Sequence, residues 1–221
     1  MLKTMSKVTT GLMNAVCIFG IAFATIGPFP ANADTTGEAP TYMVLEDGNQ
    51  YLMDSSIENY SMQDVLCLIE NMYFEARSDG YAGMYATTMV VMNRVDDHRY
   101  PNNVCDVVRQ GPVRESWKTR QDPDLIEADR IYYPIKNKCQ FSWYCDGKAD
   151  EMKDEDSFYL ARDIARLVLD MSSGVLGEQQ MIDITEGSTH YHTTYVSPNW
   201  RNDRGMMKIT LVGSHIFYRW N

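Results

Sequence analysis

Apolar residues in the first half of the chain recur at helical spacing. Val65, Ile69, Met72 and Ala76 follow one another at intervals of four, three and four, which places them on one face of a helix. At roughly 100° per residue, Glu75 falls about 60–80° from the middle of that face, so its carboxylate stands at the lip of whatever the helix packs against. Ser61 and Asp64 have the spacing of a capping pair, which starts this helix near Met62. A second helical pattern follows in Ala82, Ala86, Met89 and Asn93, and the small Gly83, Ala82 and Ala86 let a neighbouring backbone come close. Ser78-Asp79-Gly80 supplies turn chemistry between the two. Residues 66–95 therefore predict a helical hairpin that holds an acid at a cleft edge.

The rest of the chain is less regular. Ahead of the hairpin, Tyr42–Leu45 and Tyr51–Met53 flank Asp47-Gly48, which fits either a short β-hairpin or a linker. Beyond it, residues 96–103 are polar with Pro101, Val104–Gln110 suggests a short helix, and residues 111–138 carry three prolines without periodicity. Those residues predict an irregular insertion. Cys139–Cys145 is an aromatic-rich loop or strand, and the acidic run Asp150–Asp156 predicts a solvated turn. Phe158, Ala161, Ala165, Val168 and Leu169 give a third amphipathic helix, with Gly174 as its stop. Ser188–Val196 alternates as a strand, and Lys208–Val212 with His215–Tyr218 reads as a hairpin turning at Gly213-Ser214. The fold class is α+β, mainly helical with a small β element.

Composition and charge add an address. Lys3 and Lys7 precede an uncharged apolar run, and Ala31-Asn32-Ala33 has the small-x-small pattern of a secretory cleavage site. The run is shorter than the ~20 residues a membrane span requires. These features predict a signal peptide over 1–33, cleavage after Ala33, a leader or linker over 34–61 and a folded domain over 62–221. A periplasmic or secreted protein follows, with no stable membrane span. Loss of Lys3 and Lys7 leaves 18 basic residues against 30 acidic ones, a formal charge of −12. Such a surface argues against nucleic acid, whose binding neutralises phosphates. Four cysteines remain, Cys67, Cys105, Cys139 and Cys145. An even number in an exported chain points to disulfides, of three possible connectivities. The short Cys139–Cys145 segment suits a clip, which leaves Cys67 with Cys105.

Several residues carry candidate chemistry. Glu75 is a cleft acid, although a glutamate near a helix end with Arg77 nearby also fits a surface ion pair. His190 and His192 share one face of a strand, and with His215 they make a three-histidine zinc set or ordinary polar contacts. Gln140, Ser142 and Trp143 form a mixed polar and aromatic patch of the kind that stacks on sugar rings, and Trp200 is similar.

The order of motifs narrows this further. Tyr73-Phe74-Glu75-Ala76-Arg77, Asn93-Arg94-Val95, Tyr100-Pro101, Val104-Cys105, Cys139–Trp143, His190-Tyr191-His192, Pro198 with Trp200, and His215–Arg219 occur in one series. Over about residues 64–219 this series resembles the spore-cortex-lytic-enzyme (SleB-like) cell wall hydrolases. The resemblance implies a lysozyme-like domain of the goose-type or lytic-transglycosylase kind. It implies cleavage of the bond between N-acetylmuramic acid and N-acetylglucosamine in peptidoglycan glycan strands, with 1,6-anhydro products. It assigns Glu75 as the catalytic acid, needs no metal or cofactor, and makes Gln140, Ser142, Tyr191 and His192 candidates for binding substrate. A targeting partner protein is a further expectation. Family members commonly carry a second glutamate four residues after the first, where this chain has Asp79. Two alternatives stand beside this reading: a zinc-dependent amidase or peptidase of the same wall, and a wall-binding module without catalysis.

Overall fold

A computed structural model describes residues 41–44, 50–53, 60–174 and 181–221. The expected signal peptide and its cleavage point lie outside the described residues. Strands β1 (Thr41–Val44) and β2 (Gln50–Met53) pair antiparallel, Thr41 opposite Met53, so the hairpin alternative holds for this segment rather than the linker.

Helix α1 (Met62–Ala76) begins as its sequence dictates. The Ser61 hydroxyl accepts from the Asp64 backbone N–H, and the Asp64 carboxylate accepts from the Ser61 N–H, a complete capping box. A 3₁₀ turn (Arg77–Asp79) and Gly80, at φ +62°, swing the chain into α2 (Gly80–Asp96). Positive φ is a conformation glycine adopts without steric cost. Val65, Leu68, Ile69 and Met72 of α1 pack with Met84, Met89 and Val91 of α2 into a core closed by α3 (Val104–Val108) and α5 (Glu155–Ser172). Each such aliphatic side chain contributes about 1.5–3 kcal/mol when fully buried. Ala82 departs from the expected stripe and is exposed, while Ala86 and Met89 of that stripe are buried together with Gly83 and Val90, each one residue further round.

Two sequence expectations are corrected. Residues 111–138 are not wholly irregular: β3 (Val113–Glu115) pairs with β4 (Tyr132–Pro134), with α4 (Trp117–Arg120) between them. Arg130 bonds Glu115 and the Leu125 carbonyl, supplying order that apolar periodicity does not reveal. The acidic run is largely exposed, with Glu151 and Met152 half-buried, but only its first part is non-helical. Asp154 caps α5 by accepting from Ser157 N–H, and Glu155 and Asp156 form the first turn, where negative charge meets the positive end of the helix.

The last sheet has the order β5-β7-β6, formed by β5 (His190–Thr193), β6 (Met206–Val212) and β7 (His215–Trp220), all antiparallel. The β6–β7 hairpin turns at Gly213-Ser214 as expected, whereas β5 is shorter than the predicted Ser188–Val196. Phe217 of β7 packs on Ala86 and Val90 of α2, which brings one face of this sheet against the helical hairpin. Disulfides join Cys67 to Cys105 and Cys139 to Cys145. Among the described residues, no helix is long and apolar enough to cross a membrane.

Candidate active site

Glu75 occupies the last turn of α1, and two neighbouring residues of α2 arrange what faces it. Asn93 donates to the Ser188 carbonyl at 3.1 Å, and Arg94 Nε donates to the Thr189 carbonyl at 2.8 Å. These bonds fix the entry to β5, whose next residues alternate between the two faces of the sheet. Tyr191 therefore points toward the helices while His190 and His192 point away. The Tyr191 hydroxyl donates to Glu75 Oε2 at 3.0 Å.

Around this pair lies a cavity of about 190 Å³. Its wall comprises Glu75, Arg94, Gln140, Phe141, Ser142, Tyr191, His192, Thr193, Val196 and His215. The loop closed by Cys139–Cys145 thus brings exposed Gln140 and Ser142 to the cavity rim, while Phe141 supplies a buried apolar wall. Gln140, Ser142, Tyr191 and His192, the four residues expected to accompany Glu75, all border the cavity, His192 with its ring turned to the other face of the sheet, 3.0 Å from the Tyr218 hydroxyl. Among the described residues that line this cavity, Glu75 is the single carboxylate.

Electrostatics single out the same residue. Burial raises the Glu75 carboxyl above its ordinary pKa, and the Tyr191 hydrogen bond and the Arg94 charge, which act the other way, do not cancel that rise. Tyr191 is itself pushed well above the usual phenol value, first by burial and then by the Glu75 charge. Its hydroxyl keeps its proton and serves as the donor. The site therefore holds a carboxyl that carries a proton at higher pH than a solvated glutamate would, beside a fixed phenol and a buried cation.

Residues 78–218, well over half of the chain, match the family model described as cell wall hydrolase. The chain belongs to the cell wall hydrolase family. Among solved structures, it is similar to the catalytic domain of the Bacillus cereus SleB protein, with 20% identity over 73% of this chain and 94% of that one, at a TM-score of 0.45. It is also similar to the catalytic domain of the germination-specific lytic transglycosylase SleB of Bacillus anthracis, with 21% identity over 73% and 98%, at a TM-score of 0.44. Among curated proteins, none matches. The span matched to the cell wall hydrolase family contains Arg94, Gln140, Ser142, Tyr191, His192 and His215, and begins three residues after Glu75.

Several sequence expectations fail at this site, each for a physical reason. Trp143 is no sugar platform: it is buried, its Nε1 donates to Asn71 Oδ1 at 3.1 Å, and its ring stacks on Phe74. Trp200 packs against His190, His192 and Tyr218 on the face of the sheet turned from Glu75. The three histidines do not converge. His190 and His192 share that same face, whereas His215, opposite Thr193 in the ladder, lies on the Tyr191 side. Among the described residues, no group of three or more His, Cys, Asp or Glu side chains is arranged to hold a metal ion. Burial, followed by the Arg94 and Arg99 charges, pushes His190 down to about 4. Arg77 is not the partner of Glu75; its guanidinium donates to the Tyr73 carbonyl and lies over the Tyr73 ring.

Arg94 is a member of the site that the helical pattern does not single out. It is 5% exposed, and its guanidinium lies over the Tyr100 and Phe141 rings at 5.2 and 5.1 Å. A lone cation after Met89-Val90-Val91-Met92 was the available signal, since a buried charge requires partners.

Proposed function

We propose that this cell wall hydrolase is a peptidoglycan glycosidase that acts as a lytic transglycosylase, with Glu75 as acid and then as base. One observation carries the reading: a half-buried carboxyl with a raised pKa stands alone among cavity carboxylates, oriented by Tyr191. Glycosidases that use water or a covalent intermediate ordinarily employ two carboxylates flanking the scissile bond. With one, the nucleophile is best supplied by the substrate.

The protonated Glu75 gives its proton to the glycosidic oxygen, and the bond from the muramic anomeric carbon to that oxygen breaks. N-acetylglucosamine leaves with a free 4-hydroxyl. The muramic 6-hydroxyl then closes on the anomeric carbon and returns its proton to the Glu75 carboxylate, leaving a 1,6-anhydro ring and consuming no water. Gln140, Ser142 and Tyr191 stand where they can hold the sugars, whereas the His192 ring, 3.0 Å from the Tyr218 hydroxyl, faces away from Glu75; the fold of this reading is lysozyme-like. Export through a cleaved signal peptide ending at Ala33 accords with two disulfides.

The test is mass spectrometry of the soluble products released from purified sacculi, with Glu75→Gln alongside. Muropeptides ending in 1,6-anhydro-N-acetylmuramic acid, absent with the variant, are expected. Reducing N-acetylmuramic ends would make water the nucleophile. Free stem peptides would replace the reading with an amidase or peptidase, and sacculus binding without products would leave a binding module.

A further inference from the structure

Asp79, in the turn between α1 and α2, is an acid that does not line the Glu75 cavity, yet it is built into the protein with care. Its Oδ2 accepts from the Ser214 backbone N–H at 2.8 Å, the Ser214 hydroxyl at 2.9 Å and His215 Nδ1 at 2.8 Å. Two glycines leave room for it. A Cβ on Gly83 would lie 2.2 Å from Asp79 Cβ, and one on Gly213 would lie 2.5 Å from Asp79 Cγ. The seat is closed to solvent, with the His215 side chain 2% exposed and that of Asp79 9%. Burial pushes the Asp79 carboxyl up, but the bonds from Ser214 and His215 outweigh it and hold the group below the usual carboxylate range.

The His215 ring leads back to the cavity. It stands edge-to-face against the Tyr191 ring, centroids 5.2 Å apart at 88°, and Tyr191 in turn donates to Glu75. Phe141 and Phe217 also pack on Tyr191, at 6.3 and 5.6 Å. Of these three rings, only His215 is fixed by a polar bond of its own. The two Ser214 donors anchor the β6–β7 turn on Asp79. The additional bond to Nδ1 sets which ring nitrogen of His215 carries the proton and how the imidazole is tilted.

We propose that Asp79 is a positioning residue for Glu75: it holds the His215 imidazole through Nδ1, His215 braces the Tyr191 ring, and the brace sets where the Tyr191 hydroxyl meets the Glu75 carboxyl. The proposal rests on Glu75 acting as the acid of glycan cleavage. It gives the shortened acid at position 79 a task inside the protein rather than on the substrate.

The test is the rate of soluble product release from purified sacculi by the full chain expressed with its leader. Asp79→Asn is expected to lower kcat by about 10–100-fold, the size of effect that losing an orienting outer partner has at metal sites, with KM and melting temperature near those of the parent. His215→Asn keeps an amide donor for Asp79 but removes the ring that braces Tyr191, and is expected to slow turnover likewise. Because both act through one link, neither should slow Tyr191→Phe further. Full activity of either single variant, multiplied effects in the double variants, or a loss that matches the loss of folded protein would overturn the proposal. If Asp79→Asn does not fold, the His215→Asn comparison decides alone. Glu75→Gln separates the two readings: full activity there overturns the acid role itself, whereas an inactive Glu75→Gln with multiplied double-variant effects overturns only the relay.

Discussion

The Tyr191 hydroxyl lies 3.0 Å from Glu75 Oε2, across 116 residues of chain, and donates to it. A donor aimed at a carboxyl favours its ionised form, so this bond lowers the Glu75 pKa while burial raises it. The balance fixes the pH at which a proton is available to the glycosidic oxygen.

Activity is accordingly expected to fall on the alkaline side, as Glu75 loses its proton, at a pH above that of an ordinary glutamate. Tyr191→Phe removes the bond that favours the carboxylate, so the alkaline limb of kcat/KM moves to higher pH even as the maximum drops. Initial rates of product release from sacculi across pH check this. A limb that stays in place or moves down would show that Tyr191 does not tune Glu75.

The same raised pKa predicts a conflict between stability and function. A carboxyl whose folded pKa lies above its unfolded one is tolerated when neutral and costly when ionised. The penalty is absent below the ordinary glutamate value, grows as pH rises from that value, and is complete above the raised folded value. Glu75→Gln, which cannot ionise, should therefore melt higher than the parent at pH about 8, with the gap closing below pH about 4. Calorimetry at the two pH values measures it, and an equal or lower melting temperature at the higher pH would contradict the burial argument.

Local pattern made part of this site legible and long-range contact hid the rest. The helical hairpin followed from periodicity, the start of α1 from Ser61 and Asp64, and the position of Glu75 from its angle to the apolar face. The β6–β7 turn was written in Gly213-Ser214. By contrast, whether Trp143 meets sugar or core depends on Asn71, 72 residues away. Arg94 is held by Thr189, 95 residues on, and Asp79 meets His215 across 136. Nothing in the spacing of His190, His192 and His215 shows that a strand ladder places the third on the opposite face from the other two. Ala82 was misplaced for a smaller reason, since small residues at 82, 83 and 86 fit either of two adjacent faces equally.

The two disulfides should separate stability from substrate contact. Cys67–Cys105 ties α1 to α3 across a sequence separation of 38 and sits with Cys67 fully buried, whereas Cys139–Cys145 spans 6. The chain-entropy relation gives about 4 kcal/mol for the longer loop and about 2 kcal/mol for the shorter. For a chain of this size that is a loss of roughly 8–16 °C in melting temperature for Cys67→Ala with Cys105→Ala, and roughly 4–8 °C for Cys139→Ala with Cys145→Ala. The functional effects should run in the other order. The shorter bridge clips the loop that carries Gln140 and Ser142 to the cavity rim, while Glu75 and Tyr191 are held by α1, α2 and β5. Opening it should raise KM for sacculi and leave kcat close to the parent. Opening the longer bridge, assayed well below its melting temperature, should change neither. If the Cys139–Cys145 variant instead lost kcat at constant KM, the loop would be positioning the reacting carboxyl rather than the sugars.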